Sequence, residues 1–332
     1  MKRGLIVGKF YPFHLGHDYL IRLAKAQCDQ LIVLVLASDS ETIPVWERER
    51  WIKAQHPDVI VRSGYDNVPT DYEDGSVWDC HVEIFSSMLK ENIDVLFSSE
   101  IYGYELAERM GIGRHKAIDI PRGHFRISGT EIRQSLVGNW DHLTPGAKAW
   151  LCKRIVVLGA ESTGTTTLAN ALGAKFGTGS VPEFGRAYTE AKIDPWTNFD
   201  FTHIAVVQSR LEDKWAAAGT CRNGILICDT DALATQVFQE VYMGESRATV
   251  RHIASQRPPS LYVLTDHEGI PFEQDGTREH EAQRPWMTAR FEELLARQPA
   301  PWIKVTGRPE SRVEQALNTI QALPEFYFGP TI

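Results

Sequence analysis

Apolar residues in this chain gather in short unbroken runs separated by stretches with helical periodicity. Leu5-Ile6-Val7 and residues 31–36, 59–61 and 95–98 read as strands buried on both faces. Between them, residues 19–26, 44–55, 78–91 and 102–110 carry apolar positions at helical spacing. The alternation restarts past the middle of the chain. Strands are expected at 155–158, 224–228, 261–264 and 302–305, with helices at 165–176 and 312–323. A stretch at 139–153 containing Pro145 and Gly146 reads as a hinge. Strand–helix alternation of this kind predicts an α/β protein with two doubly wound parallel-sheet domains, at 1–150 and 151–332. The first is expected to be Rossmann-like.

Two strand-to-helix junctions carry candidate chemistry. After the first strand comes Gly8-Lys9-Phe10-Tyr11-Pro12-Phe13-His14-Leu15-Gly16-His17. At a helix start, backbone amides are unpaired and the macrodipole favours an anion. Gly16 allows close backbone approach, and His14 and His17 offer donors to phosphate oxygens. The run contains no nucleophile, which points to nucleotidyl transfer by positioning. Further on, Arg126-Ile127-Ser128-Gly129-Thr130-Glu131-Ile132-Arg133 offers Ser128 as an N-cap and Glu131 as its capping-box partner. Thr130 and the forked guanidinium of Arg133 suit a phosphate.

The second junction, Gly159-Ala160-Glu161-Ser162-Thr163-Gly164-Thr165-Thr166-Thr167, has the spacing of a P-loop. Thr165 stands where the motif has lysine, and Thr166 holds the Mg²⁺-ligating slot. The loop amides still suit phosphate, but the point charge on the β- and γ-phosphates is missing. Downstream, an apolar strand ends in Asp229-Thr230-Asp231. Glu183 and Arg186 stand at another expected strand end, and Arg278 and Arg284 lie in an expected lid.

The first half resembles the nucleotidyltransferases with HxGH and ISxTxIR segments, and more closely the adenylyltransferase domain of NadR-type bifunctional proteins. GKFYPFHLGH, Val77-Trp78-Asp79, Ser98-Ser99-Glu100 and FRISGTEIR carry that likeness. The resemblance implies that His14, His17, Thr130 and Arg133 hold the ATP triphosphate with Mg²⁺. Lys9 is a further phosphate contact, while Gly8, Phe10, Gly16 and Ser128 belong to the ATP site. Trp78 would stack on the nicotinamide ring. The implied reaction joins nicotinamide mononucleotide to ATP, giving NAD and pyrophosphate. The second half resembles the ribosylnicotinamide kinase domain of the same family at 159–167, 183–188, 229–236 and 271–278. By that likeness Glu183, Arg186 and Asp231 bind ribosylnicotinamide, and Thr166 and Asp229 hold Mg²⁺, with Asp229 catalytic. Residues 159 and 161–167, with Arg278 and Arg284, face phosphate. Departures from the pattern are Thr165 for lysine, Ala187 for aspartate and Phe272 for tryptophan.

Three readings of the second half stay open. A lid arginine replaces the missing charge in a slow kinase, the reading favoured here; the domain senses nucleotide without turnover; or it is a structural appendage. For the first half, the alternative is an HxGH transferase acting on another acceptor.

A net charge of −8 argues against a broad nucleic-acid surface. The first strand begins at Leu5, so no room is expected for the helix-turn-helix that the family's regulatory form carries, and no operator binding. No apolar run reaches membrane length, and the five scattered cysteines read as reduced thiols. A cytoplasmic protein is expected, and the resemblance implies self-association.

Overall fold

A computed structural model describes the chain except residues 70, 72, 122, 219–220, 222–223, 274–279 and 324–332. It divides into two compact units, Met1–Ala147 and a second beginning at Lys148.

The first unit runs β1 (Arg3–Gly8), α1 (Leu15–Lys25), β2 (Gln30–Ala37), α2 (Val45–Gln55), β3 (Ile60–Tyr65), α3 (Gly75–Ser87), β4 (Val95–Ser98), α4 (Gly103–Arg109), β5 (His115–Ala117) and α5 (Gly129–Gln134). Its parallel sheet has the order β3-β2-β1-β4-β5. β2 is buried from Leu31 to Ala37, as an unbroken apolar run requires when helices cover both faces. Leu5, Ile32, Leu34 and Leu96 pack with Phe85 and Leu106 into one core. Strand order reverses between β1 and β4, so the ends of these strands open a crevice for ligand.

A helix, α6 (Pro145–Leu151), occupies the stretch expected to be a hinge. The second unit continues β6 (Lys153–Gly159), α7 (Thr165–Phe176), β7 (Ser180–Val181), α8 (Phe184–Ala191), α9 (Asn198–Ala217), β8 (Ile225–Asp229), α10 (Ala232–Met243), α11 (Ala248–Gln256), β9 (Leu261–Thr265), α12 (Arg284–Leu295), β10 (Trp302–Val305) and α13 (Pro309–Ala322). Its sheet order is β10-β9-β6-β8-β7, again parallel throughout. Ile155, Val157, Ile227 and Val263 pack against Leu168 and Leu172 of α7. Among the described residues, no helix is long and apolar enough to cross a membrane.

α9 opens on a capping box in which the Asp200 carboxylate accepts from the Thr197 amide (2.7 Å) and hydroxyl (2.8 Å). The Tyr188 hydroxyl donates to it at 2.5 Å, and Lys192 lies 3.1 Å away. Burial raises the carboxyl pKa, but the bonds from Tyr188, Thr197 and Lys192 outweigh it and hold the group at about 2. An unfolded aspartate titrates near about 3.9. The contribution is therefore complete above about pH 4 and disappears as pH falls towards about 2. Asp200→Asn is expected to flatten that part of the stability profile, measured by urea unfolding across this range.

Candidate functional site

The first site forms where the β1–α1 turn meets α5. α1 begins at Leu15, so Gly16 and His17 lie in its first turn and His14 is the N-cap. The His14 ring caps the helix itself. Its Nδ1 accepts from the Gly16 amide at 3.1 Å and from the His17 amide at 3.4 Å. Two amides expected to face phosphate are thus engaged by the imidazole. An accepting Nδ1 places the proton of the neutral ring on Nε2, which makes that atom a donor. The two imidazoles stack with centroids 3.6 Å apart. A Cβ at position 16 would come within 3.1 Å of His14 Nδ1, which explains the glycine by ring packing as well as by ligand approach.

α5 is bound to this turn across 122 residues. Arg133 Nη1 donates to the Tyr11 carbonyl at 2.6 Å, and its guanidinium lies 5.1 Å from the centre of the Tyr11 ring. Nη2 donates to Thr130 Oγ1 at 3.0 Å. Ser128 is the N-cap, accepting from the Glu131 amide at 3.1 Å and donating to the Glu131 carboxylate at 2.7 Å. Gly8, Lys9, Phe10, His14, Gly16, His17, Trp78, Ser128, Thr130 and Arg133 all line one cavity of about 440 Å³. Lys9 lies at its edge, 3.0 Å from Glu41 and half exposed. Trp78 belongs both to this lining and to the apolar core, with its ring 6.3 Å from that of Tyr102.

In the second unit the loop between β6 and α7 has the P-loop backbone. Ser162 and Gly164 both take the left-handed conformation, with φ of 58° and 83°. Thr166 Oγ1 donates to Asp229 Oδ2 at 2.6 Å. Asp229 is buried, and its Oδ1 has no hydrogen-bond partner among the described residues. Burial raises its pKa, against the opposing influence of Thr166, Arg186 and Thr165. Gly159, Glu161, Ser162, Thr165, Glu183 and Arg186 line a second cavity of about 110 Å³. Glu183 and Arg186 are 3.8 Å apart.

Other residues assigned to this site have different work. Asp231 caps α10, accepting from the amides of Leu233 (2.9 Å) and Ala234 (3.2 Å) and from the Tyr262 hydroxyl (2.9 Å). These bonds occupy both carboxylate oxygens, so Asp231 orients a helix where a ribosylnicotinamide contact was expected. Thr163 turns its hydroxyl inward to Ala160 and Thr265, and Thr167 is exposed on α7. Arg284 is buried, and its guanidinium donates to the carbonyls of His267, Ile270 and Ser162 rather than extending from a lid. Arg278 lies outside the described residues.

A family described as an AAA domain matches residues 154–312, and one described as the C-terminal domain of citrate lyase ligase matches residues 3–67. The nicotinamide-nucleotide adenylyltransferase of Methanococcus aeolicus is 30% identical over 155 residues, covering 43% of this chain and 83% of that protein. The chain belongs to the nicotinamide-nucleotide adenylyltransferase family. Its likeness to NadR runs through both units. The trifunctional NAD biosynthesis/regulator protein NadR of Salmonella typhimurium is 27% identical over 298 residues, or 83% of this chain and 71% of that one. A crystal structure of NadR protein in complex with NAD and AMP-PNP covers 100% of this chain and 97% of its own, with a TM-score of 0.68 at 20% identity, and shares the fold.

Within this NadR-like adenylyltransferase chain, the sequence reading missed Arg48, Glu41 and Tyr11. Arg48 is fully buried, donates to the Lys9 carbonyl at 3.0 Å and lies 2.6 Å from Glu41. Its guanidinium sits 4.4 Å from the Tyr11 ring centre. Burial raises the Glu41 pKa, but Lys9 and Arg48 outweigh it and hold the carboxyl below its usual value. In sequence, Arg48 stands in the charged run Trp46-Glu47-Arg48-Glu49-Arg50, which resembles a solvated helix face. The available signal was Ile52, Trp51 and Val45 sharing its side of the helix.

Gly129 tests the junction of the two motifs. A Cβ there would lie 2.9 Å from the Tyr11 carbonyl oxygen, a backbone atom that no side-chain rotation can move. At an open helix start, Gly→Ala is neutral to stabilising. Here Gly129→Ala is expected to destabilise the fold by about 1–3 kcal/mol and to raise the KM for ATP. Thermal unfolding and initial-rate kinetics measure the two effects.

Proposed function

We propose that the first unit transfers the adenylyl group of ATP to nicotinamide mononucleotide, releasing pyrophosphate and forming NAD. The observation that carries this reading is the Arg133–Tyr11 bond, which closes the HxGH turn and the ISGTEIR segment around one cavity. The mononucleotide phosphate oxygen attacks the α-phosphorus, and the bond from that phosphorus to the bridging oxygen breaks. Pyrophosphate leaves with the electron pair of that bond. The Nε2–H of His14, with His17 and Arg133, would neutralise charge developing on the leaving group. Trp78 would hold the pyridine ring against an apolar wall. With no covalent intermediate to stabilise, the catalytic contribution is orientation and charge.

Mg²⁺ would arrive with the triphosphate, as a hard cation that keeps several waters and takes phosphate oxygens as ligands. In the second unit, hard oxygen donors do suit Mg²⁺: the Thr166 hydroxyl and the unpartnered Oδ1 of buried Asp229. The ion would shield phosphate charge there while the loop amides cradle the phosphates. We assign this unit as a ribosylnicotinamide kinase, slowed by the absence of a lysine at 165, with Glu183 and Arg186 facing the substrate cavity.

Incubation of the full chain with ATP, Mg²⁺ and nicotinamide mononucleotide tests the main reading. Stoichiometric NAD and pyrophosphate are expected. Their absence, with turnover instead of a phosphopantetheine, flavin or cytidylyl-type acceptor, would move the chain to a different acceptor class.

A further inference from the structure

The first cavity contains a titratable pair that adenylyl transfer does not use. Asp66 directly follows β3, and its Oδ1 accepts from the Val68 amide at 3.1 Å. Its Oδ2 lies 2.6 Å from Nδ1 of His81. Both side chains line the cavity together with Trp78. His81 stands three residues after Trp78 on α3, a spacing that puts the two on one helix face. The His81 ring stacks on Phe85 with centroids 5.9 Å apart. The carboxylate and imidazole are only 8% and 13% exposed, so their mutual orientation is held by packing on all sides.

An ionised carboxylate only accepts hydrogen bonds, so Nδ1 must carry the proton shared with Asp66. In the neutral ring Nε2 is then a lone-pair acceptor, and it makes no hydrogen bond among the described residues. We propose that this acceptor, oriented by Asp66, makes the site select a pyridine carboxamide over the corresponding pyridine carboxylate in the mononucleotide. The inference rests on the adenylyltransferase reading and names what decides its substrate. An amide nitrogen donates to Nε2. A carboxylate presents lone pair to lone pair and brings a second negative charge towards Asp66.

The rest of the lining reinforces that bias. Glu100 and Asp119 also face the cavity and add negative charge, while its cations, Lys9 and Arg133, belong to the turn and to α5, which the adenylyl-transfer reading gives to the triphosphate. The cation at the Trp78 ring is Arg109, 6.0 Å from its centre. Arg109 is committed to Glu105 at 2.6 Å and Asp79 at 3.0 Å, and it is not part of the lining. Rejection of the acid thus comes from an acceptor that meets its lone pairs at Nε2 and from repulsion by Asp66, the unfavourable contacts that specificity needs beside the favourable one.

The test compares kcat/KM for nicotinamide mononucleotide and nicotinate mononucleotide, with ATP and the full chain. The native chain should favour the amide by about 100-fold. His81→Phe keeps an aromatic ring against Phe85 but removes the acceptor, and should cut this ratio at least tenfold through the KM of the amide. His81→Lys supplies a donor and a positive charge, and should bring the acid to parity or beyond. Asp66→Asn frees the ring to adopt either tautomer and should lower the ratio by a smaller factor. Should His81→Phe fold poorly, His81→Gln, which offers both an acceptor and a donor, is expected to give a ratio between those of the native and lysine chains. A ratio unchanged in every folded His81 variant overturns the proposal, as does a native chain that uses amide and acid equally. A native chain that adenylates neither mononucleotide removes the adenylyltransferase reading, and this proposal falls with it.

Discussion

Replacing His14 and His17 together with alanine is expected to lower kcat/KM for NAD formation by about 10³-fold or more. Removing one preorganised donor from an oxyanion-type site typically costs about 10²–10³ in rate, and this pair supplies two side chains at the same cavity wall. His14 also caps α1 through Nδ1, so an alanine there carries a structural cost of about 1 kcal/mol. His14→Asn separates the two roles. Asparagine keeps a side-chain acceptor at the N-cap but cannot place a donor where Nε2 stands. This variant should retain the native unfolding midpoint and still lose rate by about 10²-fold. Steady-state kinetics beside urea unfolding give both numbers. A double alanine variant within tenfold of the native chain would mean that the imidazoles only build the turn.

Thr165→Lys is expected to raise single-turnover phosphorylation of ribosylnicotinamide by about 10²-fold, the worth of one well-placed charge on the transferring phosphoryl group. Thr165 opens α7 and lines the cavity beside Glu161, Ser162 and Arg186. Among the described residues, Arg186 is the cation lining that cavity. Arg284 and Arg312 lie close by but are committed to carbonyls of the loop, at Ser162 and Thr163. An ammonium at 165 would also face Asp229, whose pKa burial raises, and would favour its charged, metal-binding form. Rapid-quench measurement of labelled phosphate transfer reads the effect. A native chain with no product and a lysine variant with a burst would identify a kinase that lost its chemistry but kept its architecture. Silence from both would leave a nucleotide-binding unit.

Much of the architecture was legible because parallel strands buried on both faces must be apolar without interruption. The runs at 31–36 and 155–158 carry that signature, and β2 and β6 follow it. β5 escaped because a strand of three residues holds too few side chains to show a period, and β7, of two residues, was legible only as the strand end expected before Glu183. α8–α12 were not resolved from the pattern. In α9, half-polar residues such as Asp200, Gln208 and Glu212 are buried, which masks the apolar stripe. The stretch expected to hinge became α6, since a proline at a first helical position favours a helix start as readily as a turn.

The motifs exposed the chemistry more readily than the roles. HxGH and ISGTEIR could be read locally because a helix start, its cap and its phosphate donors sit within a few residues of one another. Asp229 and Asp231 look alike in sequence, yet one pairs with Thr166 and the other caps α10 beneath Tyr262. Arg284 reads as a lid charge, and Arg48 goes unnoticed in a charged run, until their buried guanidiniums find carbonyls far away in the chain. By itself, then, the sequence determined the two parallel sheets, the turns that follow their leading strands and the identity of the donors placed there. The tertiary structure alone decided which charges face the cavities and which hold the scaffold, because a buried polar group takes whatever partner packing brings within about 3 Å, and local spacing carries no record of that partner.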